Sequence, residues 1–159
     1  MKNIILTGMP GVGKSTIGVI LAKELGYQFV DSDLVIQERE NRLLREIIAQ
    51  EGVEGFLAVE NQINASLDVD HCVIATGGSA VYGEEAMTHF KENGIILYLK
   101  CSYAVLEKRL GDLKGRGVVL KEGQTLRDIY DERSFLYEKY ADLVIEEEEK
   151  GIEETLSLL

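Results

Sequence analysis

Residues 8–16 read GMPGVGKST, in which Gly8 and Gly13 frame four residues ahead of Lys14 and Ser15. A glycine-rich turn that opens a helix aims successive backbone N–H groups at one point, and the positive helix end adds to their pull on an anion. That chemistry suits a polyphosphate. Gly11, Val12 and Gly13 are expected to present N–H groups, Lys14 to reach the β- and γ-phosphates, Ser15 to ligate Mg²⁺, and Thr16 to help hold the phosphates. ATP and Mg²⁺ are the cofactors this loop implies.

A second group of oxygens lies in DSD, where Asp31 and Asp33 close an apolar run. Two aspartates one residue apart at a strand end can divide the work: Asp31 orients the metal's water shell and Asp33 accepts a proton from an attacking hydroxyl. The competing reading makes them an Asx turn or helix cap, with Asp33 as a candidate cap. The third apolar run ends VIATGGS, without the acid that a purely ATP-hydrolysing switch carries there, so the carboxylates fall on the acceptor side. In TGG, Gly77 and Gly78 let backbone approach a small ligand, and a tight strand-to-helix turn explains them equally well.

These groups need a scaffold that brings strand ends together. Short apolar runs alternate with longer amphipathic ones, the pattern of an α/β fold with a parallel sheet covered by helices. Strands are expected at 3–8, 27–31, 72–76, 95–99 and 142–146, and helices at 14–25, 33–40, 43–51, 53–67, 83–92, 102–110 and 124–139, with a short terminal one after Gly151. Residues 111–123, GDLKGRGVVLKEG, show no sustained period and read as a mobile flap or lid carrying Arg116. A guanidinium on such a flap can neutralise charge on a transferred phosphoryl group. The acidic run EEEEK at 146–150 reads as a solvated turn.

The 159 residues suit one domain spanning 1–159, and a domain of this size can work as a monomer. With a net charge of −11 and no basic cluster, a nucleic-acid surface is excluded, and any anion must be gripped by individual arginines. No apolar run approaches membrane-spanning length, so no membrane partner is expected. Cys72 and Cys101 lack metal-ligand spacing and read as core thiols in a reducing cytoplasm.

In order and spacing, GMPGVGKST, FVDSDLVI at 29–36, VIATGG at 73–78, the flap Arg116 and RSFLYEKYAD at 133–142 resemble the shikimate kinase family over nearly the whole chain. The resemblance implies a P-loop kinase of three α/β/α layers, its five parallel strands ordered 2-3-1-4-5, with an acceptor-binding helical region at about 33–67 and a lid at about 111–123. It implies transfer of the γ-phosphate of ATP to a small hydroxylated substrate, shikimate first, in aromatic amino-acid biosynthesis. It makes Asp31 the metal-side aspartate, Asp33 the acceptor-binding aspartate and base, and Gly78 part of the glycine run that touches the acceptor. Arg116 becomes the lid arginine, Arg109 the residue lying against adenine, and Arg133 the partner of the acceptor's carboxylate. On residues alone, Arg133 could instead pair within its own helix, with Tyr137 or the neighbours of Asp131.

Three positions depart from the family's pattern: Leu57 in FLAVE stands where an arginine is usual, Ser79 where a third glycine is usual, and Gly117 where proline follows the lid arginine. No lysine or arginine occurs between Ala49 and Phe90, although Arg42 or Arg45 could swing in from outside that interval. A kinase for another hydroxy acid or polyol, such as gluconate, is the close alternative. A nucleotide-binding regulatory homologue is another. A nucleoside monophosphate kinase would need arginines that 52–90 do not supply.

Overall fold

A computed structural model describes residues 2–110 and 123–146. Strands β1 (Asn3–Thr7), β2 (Gln28–Asp31), β3 (Cys72–Ala75), β4 (Gly94–Lys100) and β5 (Leu143–Glu146) form one sheet in the order β2-β3-β1-β4-β5, every pairing parallel. Register sets Leu6 beside Ala75 and Leu97, so the carboxyl ends of the three central strands reach one edge together.

Strand alternation divides the core between two faces, because successive side chains point to opposite sides of a sheet. Leu6, Val73 and Leu97 face one cluster with Ile17 and Leu21 of helix α1 (Lys14–Leu25), Leu106 of α5 (Tyr103–Leu110) and Ile129 and Tyr137 of α6 (Leu126–Tyr140). Ile5, Ile74 and Ile96 turn the other way, onto Ala86, Met87 and Phe90 of α4 (Glu84–Asn93). A satellite core of Ile36, Ile47, Phe56 and Ile63 joins α2 (Ser32–Glu40) to α3 (Leu44–Ala65). This is the expected three-layer arrangement.

Element ends follow local chemistry. Gly26 stops α1 in a left-handed conformation and donates its N–H to Ala22 O. Thr125 and Asp128 form a reciprocal capping box that starts α6. The two helices expected at 43–51 and 53–67 are in register as one element, α3, yet Gly52 sits inside it at φ 76° and ψ 176°, outside helical space. The expected break is therefore present as a kink. A short 3₁₀ turn, Ala80–Tyr82, lies between β3 and α4, where no element was expected. The flap with Arg116 lies outside the described residues as far as 122, and the terminal helix after Gly151 and residues 147–150 of the acidic run lie outside them too.

Candidate active site

The loop 8–13 leaves β1 and delivers Lys14 as the first residue of α1, with Gly13 as a left-handed N-cap. Lys14 is buried and donates its ammonium to the carbonyls of Gly8 and Met9 at 2.6 and 2.9 Å, so the charge is held against the loop. A cleft of about 360 Å³ opens beside it, lined by the loop, by Ser15 and Thr16, by Asp31 and Asp33, and by Gly77 and Gly78. Strand order explains the meeting. The chain jumps from β1 over β3 to β2 and later returns across β1 to β4, and ligands of open α/β sheets bind at the strands' carboxyl edge where such a reversal occurs.

Asp31, not Asp33, caps α2: its Oδ1 accepts from the N–H groups of Asp33 at 2.9 Å and Leu34 at 3.4 Å. The candidate cap was one residue pair too late, because the capping side chain must precede the first helical turn. Asp33, carried on that turn, faces the cleft, and burial, assisted by the neighbouring Asp31 and opposed by Lys14, raises its carboxyl to about 6. A base poised there is ionised at neutral pH and close enough to the operating range to accept a proton. Ser15 and Asp31 offer a hydroxyl and carboxylate oxygens to the same cleft. No group of three or more His, Cys, Asp or Glu forms a metal cluster among the described residues. Hard oxygen donors in small number fit Mg²⁺, which keeps waters and takes further oxygens from phosphates.

The loop after β3 is tied to β1, since Thr76 donates both its backbone N–H and its hydroxyl to Leu6 O, at 3.2 and 2.8 Å. That places Gly77 against Asp33 and Gly78 against Arg133. A Cβ on Gly77 would stand 2.7 Å from Asp33 Oδ1 and 3.2 Å from Glu60 Oε2; one on Gly78 would stand 2.7 Å from Pro10 Cδ and 2.9 Å from Arg133 Nη1. Glycine is required here by space alone. Thus Asp33, Glu60 and Arg133, from three helices, converge on one backbone loop beside the P-loop.

Arg133 is 1 % exposed on α6. Its Nε donates to the Tyr82 hydroxyl at 3.4 Å, and its guanidinium carbon lies 5.4 Å from the Tyr82 ring centroid. The intrahelical contact with Tyr137 also exists, and Tyr137 donates its own hydroxyl to Gly78 O at 2.6 Å. Arg109 donates to Gly11 O at 3.1 Å from α5, placing it against the phosphate loop. Arg42 is held at the α2–α3 turn by Glu40, Glu51 and Gln50, and Arg45 is exposed. Arg42 is therefore committed elsewhere. Leu57 packs against the satellite core of α2 and α3.

Two residues that touch the loop after β3 were not among the expected site residues. Glu60 is 2 % exposed, accepts from the Ser79 hydroxyl at 2.7 Å, and is raised to about 7, chiefly by burial. The signal was available: Glu60 falls between Phe56 and Ile63 on the buried stripe of α3, where an acid is out of place. Tyr137, in contrast, reads as an ordinary aromatic core residue until Gly78 O is seen beside it.

The family model for shikimate kinase matches residues 10–158. The chain belongs to the shikimate kinase family. Among relatives of the family, shikimate kinase of Bacillus cytotoxicus is 37% identical over 155 residues, 97% of this chain and 93% of that one. Shikimate kinase of Bacillus anthracis is 44% identical over 110 residues, covering 69% and 67% of the two chains. The solved shikimate kinase of Acinetobacter baumannii, in complex with shikimate, superposes with a TM-score of 0.87 at 31% identity and covers 99% of this chain and 90% of that one. As a member of the shikimate kinase family, the protein is a P-loop phosphotransferase acting on a hydroxyl group. No helix among the described residues is long and apolar enough to cross a membrane.

Proposed function

We propose that this protein transfers the γ-phosphoryl group of ATP to a hydroxyl of shikimate, forming 3-phosphoshikimate, a step of aromatic amino-acid biosynthesis. The observation that carries this reading is the convergence of Asp33 and Arg133 on the Gly77–Gly78 loop, which lines the cleft beside the phosphate loop. A carboxylate-bearing polyol needs a cation for its acid group, a backbone surface for its ring and an acceptor for the proton of its reacting hydroxyl. Arg133, the Gly77–Gly78 loop and Asp33 match these three needs.

Lys14 and the N–H groups of Gly11, Val12 and Gly13 hold the β- and γ-phosphates, Thr16 supports them, and Arg109 lies beside the loop on the adenine side. Ser15 and Asp31 hold Mg²⁺, which when bound offsets the charge of the phosphates. The acceptor hydroxyl oxygen forms the new bond to the γ-phosphorus as the bond to the β–γ bridging oxygen breaks. ADP leaves, and the hydroxyl proton goes to Asp33. By the family resemblance, Arg116 is the residue that would meet the transferring group. Residues 1–159 act as one catalytic unit, and a monomer suffices because all these residues come from one chain. The buried thiols Cys72 and Cys101 suit a reducing cytoplasm.

The test is a coupled ADP-release assay across shikimate, gluconate, other hydroxy acids and nucleoside monophosphates. Saturable acceleration by shikimate, lost in Asp33→Ala while ATP binding persists, is the expected result. Acceleration by gluconate alone would move the protein to another acceptor. No acceleration by any acceptor, with ATP still bound, would favour a regulatory homologue.

A further inference from the structure

Glu60 poses a problem that its own helix does not solve. Its carboxyl is 2 % exposed, yet the residue one turn earlier on α3, close enough for a long side chain to reach it, is Leu57, which offers no donor. No lysine or arginine occurs between Ala49 and Phe90. The donor comes from across the pocket. Ser79, 4 % exposed at the start of the 3₁₀ turn, gives its hydroxyl to Glu60 Oε1 at 2.7 Å.

The consequence is directional. With Oε1 occupied, Oε2 has no hydrogen-bond partner among the described residues, and it points at Gly77, where Asp33 Oδ1 also points. A buried polar oxygen without a partner is costly, and it is tolerated where a ligand satisfies it. We propose that Ser79 is a positioning residue of the acceptor pocket: its hydroxyl holds the Glu60 carboxyl with Oε2 facing the acceptor, a task that a cation at position 57 could perform and Leu57 cannot. The inference rests on the pocket being the acceptor site proposed above. It makes Leu57 and Ser79 a coupled pair, so the absent charge at one position is answered by the hydroxyl at the other.

The charged groups facing Glu60 are Asp33 from α2, which opposes its ionisation, and Arg133 from α6, which favours it. On the α4 side, Glu85 accepts from Asn61 instead. Ser79 favours the ionised carboxyl, so losing its hydroxyl should move the Glu60 titration to higher pH.

The experiment compares the full-length wild type with Ser79→Ala, Leu57→Arg and the double variant. Acceptor KM, ATP KM and thermal midpoint are measured, with the Glu60 carboxyl followed by ¹³C NMR titration and assigned through Glu60→Gln. Expected are a rise of about tenfold in acceptor KM for Ser79→Ala with ATP KM unchanged, an upward-shifted Glu60 titration, and recovery of both when Leu57→Arg is added. An unchanged titration in Ser79→Ala overturns the proposal. So does a double variant whose effects are simply additive, or a rise in both KM values that tracks lost thermal stability. The titration needs no turnover. If shikimate proves not to be the acceptor, the Ser79–Glu60 coupling is still decided.

Discussion

Tyr137 donates its hydroxyl to Gly78 O at 2.6 Å, which binds the helix carrying Arg133 to the loop after β3. Tyr137 is 1 % exposed, whereas Gly78 borders the cleft, so the bond is partly buried. Tyr137→Phe removes this bond at a cost of about 0.5–1.5 kcal/mol. Denaturant unfolding should show that loss, and acceptor KM should rise while ATP affinity, measured by calorimetry, stays constant.

Gly78→Ala should disturb Arg133 and, through Pro10, the phosphate loop as well. The new Cβ would collide with Pro10 Cδ at 2.7 Å and Arg133 Nη1 at 2.9 Å, displacing the guanidinium from its place. Misplacing a binding group by a fraction of an ångström to an ångström costs roughly 10²-fold in kcat/KM. Steady-state kinetics with varied acceptor should show this, and full activity in the variant would contradict the placement of Arg133.

Asp31 caps α2 and, in the proposed mechanism, holds Mg²⁺, and a conservative change separates the two. Asn caps a helix about as well as Asp, so Asp31→Asn should keep α2 and the thermal midpoint. Its weaker oxygen should raise the Mg²⁺ concentration for half-maximal rate by on the order of tenfold. Asp31→Ala should lose both. An unchanged Mg²⁺ requirement in both variants would leave Asp31 as a cap only.

Glu60 makes stability depend on pH. Its folded-state value, about 7, lies above the ordinary 4.5, so the folded protein retains a proton that the unfolded chain releases. Stability from this group is full below about 4.5 and falls as pH rises to about 7, by on the order of 3 kcal/mol. Glu60→Gln removes that slope. Thermal melts at pH 5 and pH 8 should therefore differ less in the variant than in the wild type, with the variant the more stable of the two at pH 8.

Gly52 offers a stability test remote from the chemistry. It holds φ at 76° inside α3, and a Cβ there would meet nothing within 4 Å, so only backbone strain opposes a side chain. Gly52→Ala should cost about 1 kcal/mol in chemical denaturation and leave ATP binding unchanged.

The sequence by itself determined the donor half of this protein. GMPGVGKST acts through backbone N–H groups and one lysine, all within nine residues, so spacing alone specifies the phosphate site. Strand alternation likewise assigned Ile5 and Leu6 to opposite faces of the sheet. The acceptor half is assembled across the chain, and only tertiary structure decided it. Glu60 and Ser79 lie 19 residues apart, and Tyr137 and Gly78 lie 59 apart. No periodicity encodes such pairs, because a hydrogen bond across a pocket depends on how helices dock and not on local spacing. The same holds for the Asp31 and Asp33 pair: its two carboxylates are visible in DSD, but which one caps α2 followed from where the helix begins.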